Sequence, residues 1–450
     1  MRKLLICALA LGGFAASAQA ADLSVDSLKD PLPEKLSFAG VTVYGTIDVG
    51  YGYQEHGYPI SSSFYELNYP MNSNTPPKSL STLNNNAMSQ SMVGVKVEES
   101  LGMGFVALGK METGFNPLSG ELADACKSLI QKSTNANVSS GDGSRCGQFF
   151  NGQAYGGLSN SSYGTLTVGR QNSFMTDGVG TYDPNHGSYA FSYIGYTGSS
   201  AAGIGSTETA RWDNSVKYLY QFGPVHAGAM YAKGGDGSSI QDDAVGGNAG
   251  FAWKGLAVDA YYTKENGSVN AIAGVAATNS LTYNISNNEA YSIMGKYTYD
   301  LGGSFKDDAP SAKVTVFGGY VHTDMTNPDK TQDSYKNSHT IGGYLLSGVN
   351  VGESPFGTTK TLQTYWAGAT YETGPWAFTG AWYRLNQNDY TGFGATVAGG
   401  NLDEISGVVD YKFNKHFDVY SGVSYIDYSG NWQKTTHDNV NVATGLRLKF

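Results

Sequence analysis

The chain has 450 residues, a formal net charge of −10, 60 glycines, 32 tyrosines, 13% aromatic residues and only 15% charged residues. That charge argues against a nucleic-acid partner, and so many aromatic residues argue against a glycine-rich disordered polymer. Beyond the first twenty residues no run of ~18 consecutive apolar residues occurs, which excludes membrane-spanning helices.

MRKLLICALALGGFAASAQA has a basic start, an apolar stretch and Ala18-Gln19-Ala20 as a small-residue cleavage site, so residues 1–20 read as a secretory signal peptide and 21–450 as a single mature domain. Loss of Arg2 and Lys3 takes the net charge from −10 to −12. Export permits disulfides. Cys126 and Cys146 share one polar stretch. Bridged, they would close a loop of about twenty residues, worth ~3 kcal/mol in the chain-entropy model; the alternative is two free thiols. No CxxC or HExxH occurs and the seven histidines are scattered, so neither a metal nor another cofactor is expected.

The mature chain alternates with period two. VTVYGTIDVGYGY sets Val41, Val43, Gly45, Ile47, Val49, Tyr51 and Tyr53 against Thr42, Tyr44, Thr46 and Asp48. SMVGVKVEE, NSVKYLYQF, TYWAGATYE, GVVDYKF and VYSGVSYIDY repeat the rhythm, and NVATGLRLKF carries it to the last residue. Such alternation marks strands whose two faces meet different solvents. Sixteen strands are predicted, at 41–54, 89–99, 104–115, 150–159, 164–170, 210–222, 225–234, 244–253, 256–265, 287–300, 311–323, 361–373, 375–386, 402–413, 416–427 and 438–450. Short connections such as Gly223-Pro224 alternate with long polar ones at 55–88, 116–149, 171–209, 266–286, 324–360 and 387–401, as a barrel with one tight rim and one extended rim requires.

Such a sheet must close. In hydrocarbon each unpaired backbone group costs several kcal/mol, so an open edge cannot face lipid. A soluble β-sandwich would instead need a dry core, whereas the inward positions here carry Lys, Asp, Glu, Asn, Gln and Thr too often for that. The fold class is therefore all-β: a transmembrane antiparallel barrel of 16 strands.

In order and spacing, VTVYGTIDVGYGY, SMVGVKVEESLGMG, METGFNP, GQAYGGLSNSSYGTLTVGRQ, WDNSVKY and the terminal GLRLKF resemble the general porins of Gram-negative outer membranes, over nearly the whole mature chain. The resemblance implies a homotrimer in outer-membrane lipid, with a long third loop folded into each barrel and a second long loop reaching over a neighbouring subunit. There Cys126–Cys146 would stiffen an intersubunit latch or merely protect the loop. It also makes Phe450 a tag read by the outer-membrane assembly machinery. Two positions depart from the family pattern: Met92 and Gly152 stand where arginine is common.

The inward loop corresponds to about 171–209. Its acids, Asp177, Asp183 and Glu208, are the candidate constriction residues, because a carboxylate in a narrow passage attracts cations more strongly than in bulk water. Lys96, Lys110 and Lys217 have lumen parity, and Arg170 and Arg211 bracket the loop, so these five are expected on an opposing basic wall. Pairing of Lys96 and Lys110 with Glu98 and Glu112 is the alternative. Arg447 and Lys449 point inward near the tight rim, where local pairing is expected. Tyr51, Tyr53, Tyr371, Trp376, Tyr411 and Phe417 fall near strand ends, as headgroup-level rings do. The expected activity is passive passage of ions and small hydrophilic solutes. The alternatives are a sugar-selective channel with a lumenal aromatic slide, a barrel hydrolase or an adhesin. No G-x-S-x-G or P-loop supports an enzyme.

Overall fold

The computed structural model describes residues 36–57, 78–124, 127, 145, 147–196, 210–234, 243–273, 280–302, 312–327, 339–341, 344–346, 356–392, 394–433 and 436–450. The predicted signal peptide, Cys126, Cys146 and Glu208 lie outside the described residues.

Sixteen antiparallel strands form a closed barrel. In chain order they are β1 (Val41–Gly57), β2 (interrupted, Lys78–Asn85 and Met92–Gly102), β3 (Phe105–Gly114), β4 (Ala154–Asn160), β5 (Gly164–Asn172), β6 (Arg211–Phe222), β7 (Val225–Ala232) and β8 (Ala244–Trp253). They continue as β9 (Leu256–Ala273), β10 (Ser280–Asp300), β11 (Ala312–Thr326), β12 (Lys360–Thr373), β13 (Trp376–Gln387), β14 (Gly400–Lys412), β15 (Phe417–Tyr428) and β16 (Asp438–Lys449). Each predicted strand has its counterpart, with ends shifted by a few residues in most.

Closure is made by β1 and β16, in register from Thr46↔Lys449 to Gln54↔Asn441. The terminal residue continues that ladder: Gly45 N–H donates to the Phe450 carbonyl at 2.9 Å, and Phe450 N–H donates back at 3.1 Å. This leaves no edge between the first and last strands for lipid to meet.

The alternation is inverted relative to a water-soluble sheet. On β14, Ile405 points outward and is 62% exposed, while its neighbours Glu404 and Ser406 are buried. On β6, Val216 is outward and exposed, while Ser215 and Lys217 are buried inward. Apolar side chains therefore face the lipid side and polar ones the interior, the pattern that two solvents impose. Tight hairpins hold one rim; that between β2 and β3 places Met103 at φ 52° between Gly102 and Gly104, also at positive φ, the left-handed geometry such turns need.

Two long connections differ from expectation. The stretch predicted as a loop at 266–286 is largely strand: β9 and β10 stay paired out to Ala273↔Leu281. A bulge between Glu265 and Ser268 breaks the parity there, so period-two reading loses the strand at that point although the ladder continues. Likewise the first part of β2, Lys78–Asn85, pairs with β1 inside the predicted 55–88 connection. Between the two parts of β2 the chain kinks at 86–91, and Asn86 takes φ 60°. The Asp48 carboxylate holds this kink by accepting Met88 N–H at 3.0 Å, Ser89 N–H at 2.7 Å and the Tyr420 hydroxyl at 2.6 Å.

Candidate functional site in the barrel lumen

The segment after β5 turns into the barrel and follows its inner wall. Ser173 caps a helix, α1 (Phe174–Tyr182), by accepting Thr176 N–H at 3.3 Å. Two glycines make this a weak helix by propensity, so packing must hold it. Phe174, Met175, Gly178, Val179 and Tyr182 are its buried residues. Phe174, Met175, Val179 and Tyr182 join Trp212, Met230, Tyr261, Met294 and Val321 of the surrounding strands in one apolar cluster. The helix end is fastened by polar groups: the Tyr182 hydroxyl donates to Asp259, and Trp366 Nε1 donates to the Tyr182 carbonyl at 3.0 Å.

The chain then passes along β12 to β16. Asp183 is fully buried and accepts from the Tyr383 hydroxyl at 2.5 Å and from Gly187 N–H at 2.7 Å. Burial raises its pKa, against hydrogen bonds from Tyr383, Ser192 and Gly187 that lower it. The neighbouring His186 imidazole is shifted the other way, down, because desolvation disfavours its cation. Asn185 Nδ2 donates to Ser406 Oγ at 2.9 Å and to the Phe191 carbonyl at 2.8 Å. Beyond it, Phe191, Tyr193 and Ile194 are fully buried with Leu385, Leu402, Ile426 and Tyr428 of β13, β14 and β15. Gly422 allows this: a Cβ there would lie 2.8 Å from the Phe191 ring. The loop finally ties to the β2 kink, where Ala190 N–H and Ser188 Oγ each donate to the Ala87 carbonyl at 2.9 Å. Asn441 of β16 donates to the Ala190 carbonyl at 2.8 Å. The inward loop expected from resemblance is thus present and pinned along much of the wall.

The charges read from sequence are brought together differently than expected. Asp177 does not face its basic counterpart across a gap. Lys217 Nζ touches it at 2.5 Å, while also donating to the Asn172 carbonyl at 3.1 Å and lying 4.5 Å from the Phe174 ring. Asp183, fully buried, does not line the passage. Local packing decided both: α1 is pressed onto the wall that carries Lys217, and the turn after it onto Tyr383 of β13. Arg170 is buried against Asp213 at 2.6 Å and the Gly152 carbonyl at 2.9 Å. Arg211 begins β6 opposite Asn172 in register. Lys110 pairs with Glu112 at 2.7 Å, and Glu112 also accepts the Tyr44 hydroxyl at 2.8 Å, as the pairing alternative holds. Lys96 stands opposite Lys110 in register, exposed and without an ion-pair partner among the described residues. Arg447 behaves as expected, bonding Asp418 at 2.6 Å and Asp410 at 2.7 Å, with Lys449 on Asp418 at 2.8 Å.

Sequence reasoning missed the cavity of about 400 Å³ beside the loop turn, lined by Pro184, His186, Lys296, Lys313, Glu372 and Lys412 among others. The parity of Lys296, Lys313 and Glu372 was legible. Their shared space was not, because they come from β10, β11 and β12. The rings expected at strand ends do cluster outside: Trp376 meets Tyr411 at 4.6 Å, and Tyr411 meets Phe413 at 4.8 Å.

A family model described as Gram-negative porin matches residues 7–431. An outer-membrane porin protein of Bordetella pertussis is 28% identical over 318 residues, which span 68% of this chain and 66% of that relative's length. Among solved structures, OmpT of Vibrio cholerae matches with TM-score 0.56 and 15% identity, covering 93% of this chain and 100% of the other. An anion-selective porin from Comamonas acidovorans matches with TM-score 0.54 and 15% identity, covering 91% and 99%. At such identity these structures speak for the fold alone. The family model covers most of the chain, and the barrel agrees with it: this protein belongs to the Gram-negative porins and is a β-barrel of the outer membrane.

Proposed function

We propose that the protein is a general diffusion channel that passes ions and small hydrophilic solutes, with its size limit set by the inward loop at about 171–209. The observation that carries this reading is a closed barrel with polar groups inside and an inward loop bonded to its wall on both sides of a charged cavity. Membership of the porin family favours a channel over a hydrolase. The rings Tyr371, Trp376, Tyr411 and Phe417 have lipid-facing parity, which weakens the reading as a sugar slide. A homotrimer is the partner state we adopt, supported by a trimer form of the Vibrio cholerae OmpT neighbour, with TM-score 0.54 and 14% identity. Residues 1–20 serve as the export signal and 21–450 as the one barrel domain, with a constriction loop at about 171–209. Asp177 is kept as a constriction acid, balanced by Lys217, with Lys96, Lys110, Arg170 and Arg211 on the basic side.

The decisive measurement is planar-bilayer conductance of the purified protein. Stepwise openings in groups of three are expected, and their absence would remove the channel reading. Phe450 is proposed as the signal to the assembly machinery. Its deletion is expected to cut outer-membrane yield severely, while Phe450→Tyr, which keeps an aromatic ring, assembles. Equal yields from both variants would reduce Phe450 to an ordinary last rung of the ladder.

A further inference from the structure

The cavity beside the loop turn has an unbalanced wall. Among its lining side chains, Lys296, Lys313, Lys412 and Arg447 are cationic, while Glu372 and Asp410 are the carboxylates. Both acids are already engaged. Glu372 sits between Lys313 at 2.8 Å and Lys412 at 3.0 Å, and Asp410 is held by Arg447 at 2.7 Å, which Asp418 also bonds at 2.6 Å, so the surplus lies with Lys296 and the Lys313–Lys412 pair. Nearby, Asp48 and Asp183 are fully buried and saturated by hydrogen-bond donors, so neither offers a carboxylate to the cavity.

Lys296 is different. Its ammonium donates to the Thr181 carbonyl at 3.1 Å, in the last turn of α1, and lies 5.6 Å from the Tyr182 ring. Among the described residues no carboxylate pairs with it. An ammonium has three donors, so the single bond to Thr181 leaves two for water or a solute. Neutral donors lie on the same wall. Thr298 and Thr315 share a hydrogen bond at 3.0 Å, and Thr370 and Thr379 share another at 3.0 Å. Each hydroxyl pair uses one of its two protons internally, so one proton per pair is left to donate. Surplus ammonium groups beside hydroxyl donors suit a ligand with several acceptor oxygens and negative charge, and disfavour a cation.

We infer that this cavity is a binding site for small polyvalent oxyanions, with Lys296 as the residue that selects for them. The inference rests on the channel reading for its role in transport, and it names the solute class that reading leaves open. Inorganic phosphate and citrate share the chemistry; they differ in size, and a site of about 400 Å³ has room for either.

The test uses the full-length protein in planar bilayers with inorganic phosphate as probe. Under a KCl gradient the reversal potential is expected to carry the anion sign. Phosphate added at constant chloride is expected to interrupt the chloride current. Lys296→Gln should weaken that interruption about tenfold, as expected for one charge-assisted hydrogen bond. Lys264→Gln, which alters an outward-facing pair with Glu289, should leave it unchanged. A cation-signed potential in the wild type, no interruption by phosphate, or equal interruption in Lys296→Gln would overturn the inference. A second measurement needs neither conduction nor a variant. Phosphorus NMR of inorganic phosphate with detergent-solubilised protein should show line broadening that citrate reverses, and unbroadened lines would overturn the site even if channel steps are seen. Absence of channel steps alongside broadened lines would overturn the channel reading and leave the binding site standing.

Discussion

Two regions of the same inner wall behave oppositely. Toward the long-loop rim, the inward positions of β13 to β15 hold Leu385, Leu402, Ile426 and Tyr428, each at most 3% exposed. Toward the tight rim, the inward positions of β11, β12 and β14 hold Lys313, Glu372 and Lys412 around the cavity of about 400 Å³. Parity is the same in both, so parity does not decide the solvent. What differs is the covering. Phe191 to Ile194 of the loop lies over the first region and excludes water, while at the second the loop turn from Pro184 to His186 forms one wall and leaves the cavity open. A barrel interior can thus contain a dry core and a wet passage side by side, and the polar reading of all inward positions holds only for the second.

The contrast can be broken most severely by placing charge in the covered region. Leu402→Asp would bury a carboxylate without a partner, which costs several kcal/mol. The expected outcome is a loop released from the wall, read as larger and noisier conductance or as loss of the heat-resistant folded band in electrophoresis. A quiet channel of normal size would show that Leu402 is not covered in the membrane. The same change at a partly exposed position of the cavity wall, Thr298→Asp, should leave folding intact.

A smaller effect is expected from Phe191→Ala, which removes the ring from the covered region and costs about 3 to 5 kcal/mol if the cavity stays empty. Flickering between two conductance levels would mark partial undocking of the loop. Conductance identical to wild type would mean that Asn185, Ser188 and Ala190 hold the loop by hydrogen bonds alone. Smallest is the pair Lys217–Asp177, in which the lysine is buried but the carboxylate is 44% exposed, so solvent screening holds its worth to about 1 kcal/mol. A double-mutant cycle with Lys217→Gln and Asp177→Asn should give coupling of that size, while Asp177→Asn alone shifts the reversal potential toward anions. An unshifted potential would take Asp177 out of the passage.

How much of this was legible in the residues varies by level. Strand number and parity were, and β16 shows why: Val440, Val442 and Leu446 alternate with Asn441, Ala443 and Arg447, the record of lipid on one side and a polar interior on the other. The strand beyond Glu265 was hidden by its bulge, which resets the period while leaving the ladder intact. The candidate acids illustrate a third level. Asp177 and Asp183 were identifiable as loop acids, but their partners are Lys217 and Tyr383, 40 and 200 residues away in sequence.

The amino-acid sequence by itself determined that this chain forms a closed barrel, because every backbone group must be paired in lipid and each strand must present opposite surfaces to two solvents. Only the tertiary structure decided which inward residues are dry, which charges cancel and where Lys296 stands uncancelled. Those outcomes depend on a loop of low intrinsic order being pressed onto distant strands, and no local period encodes which strand it will meet.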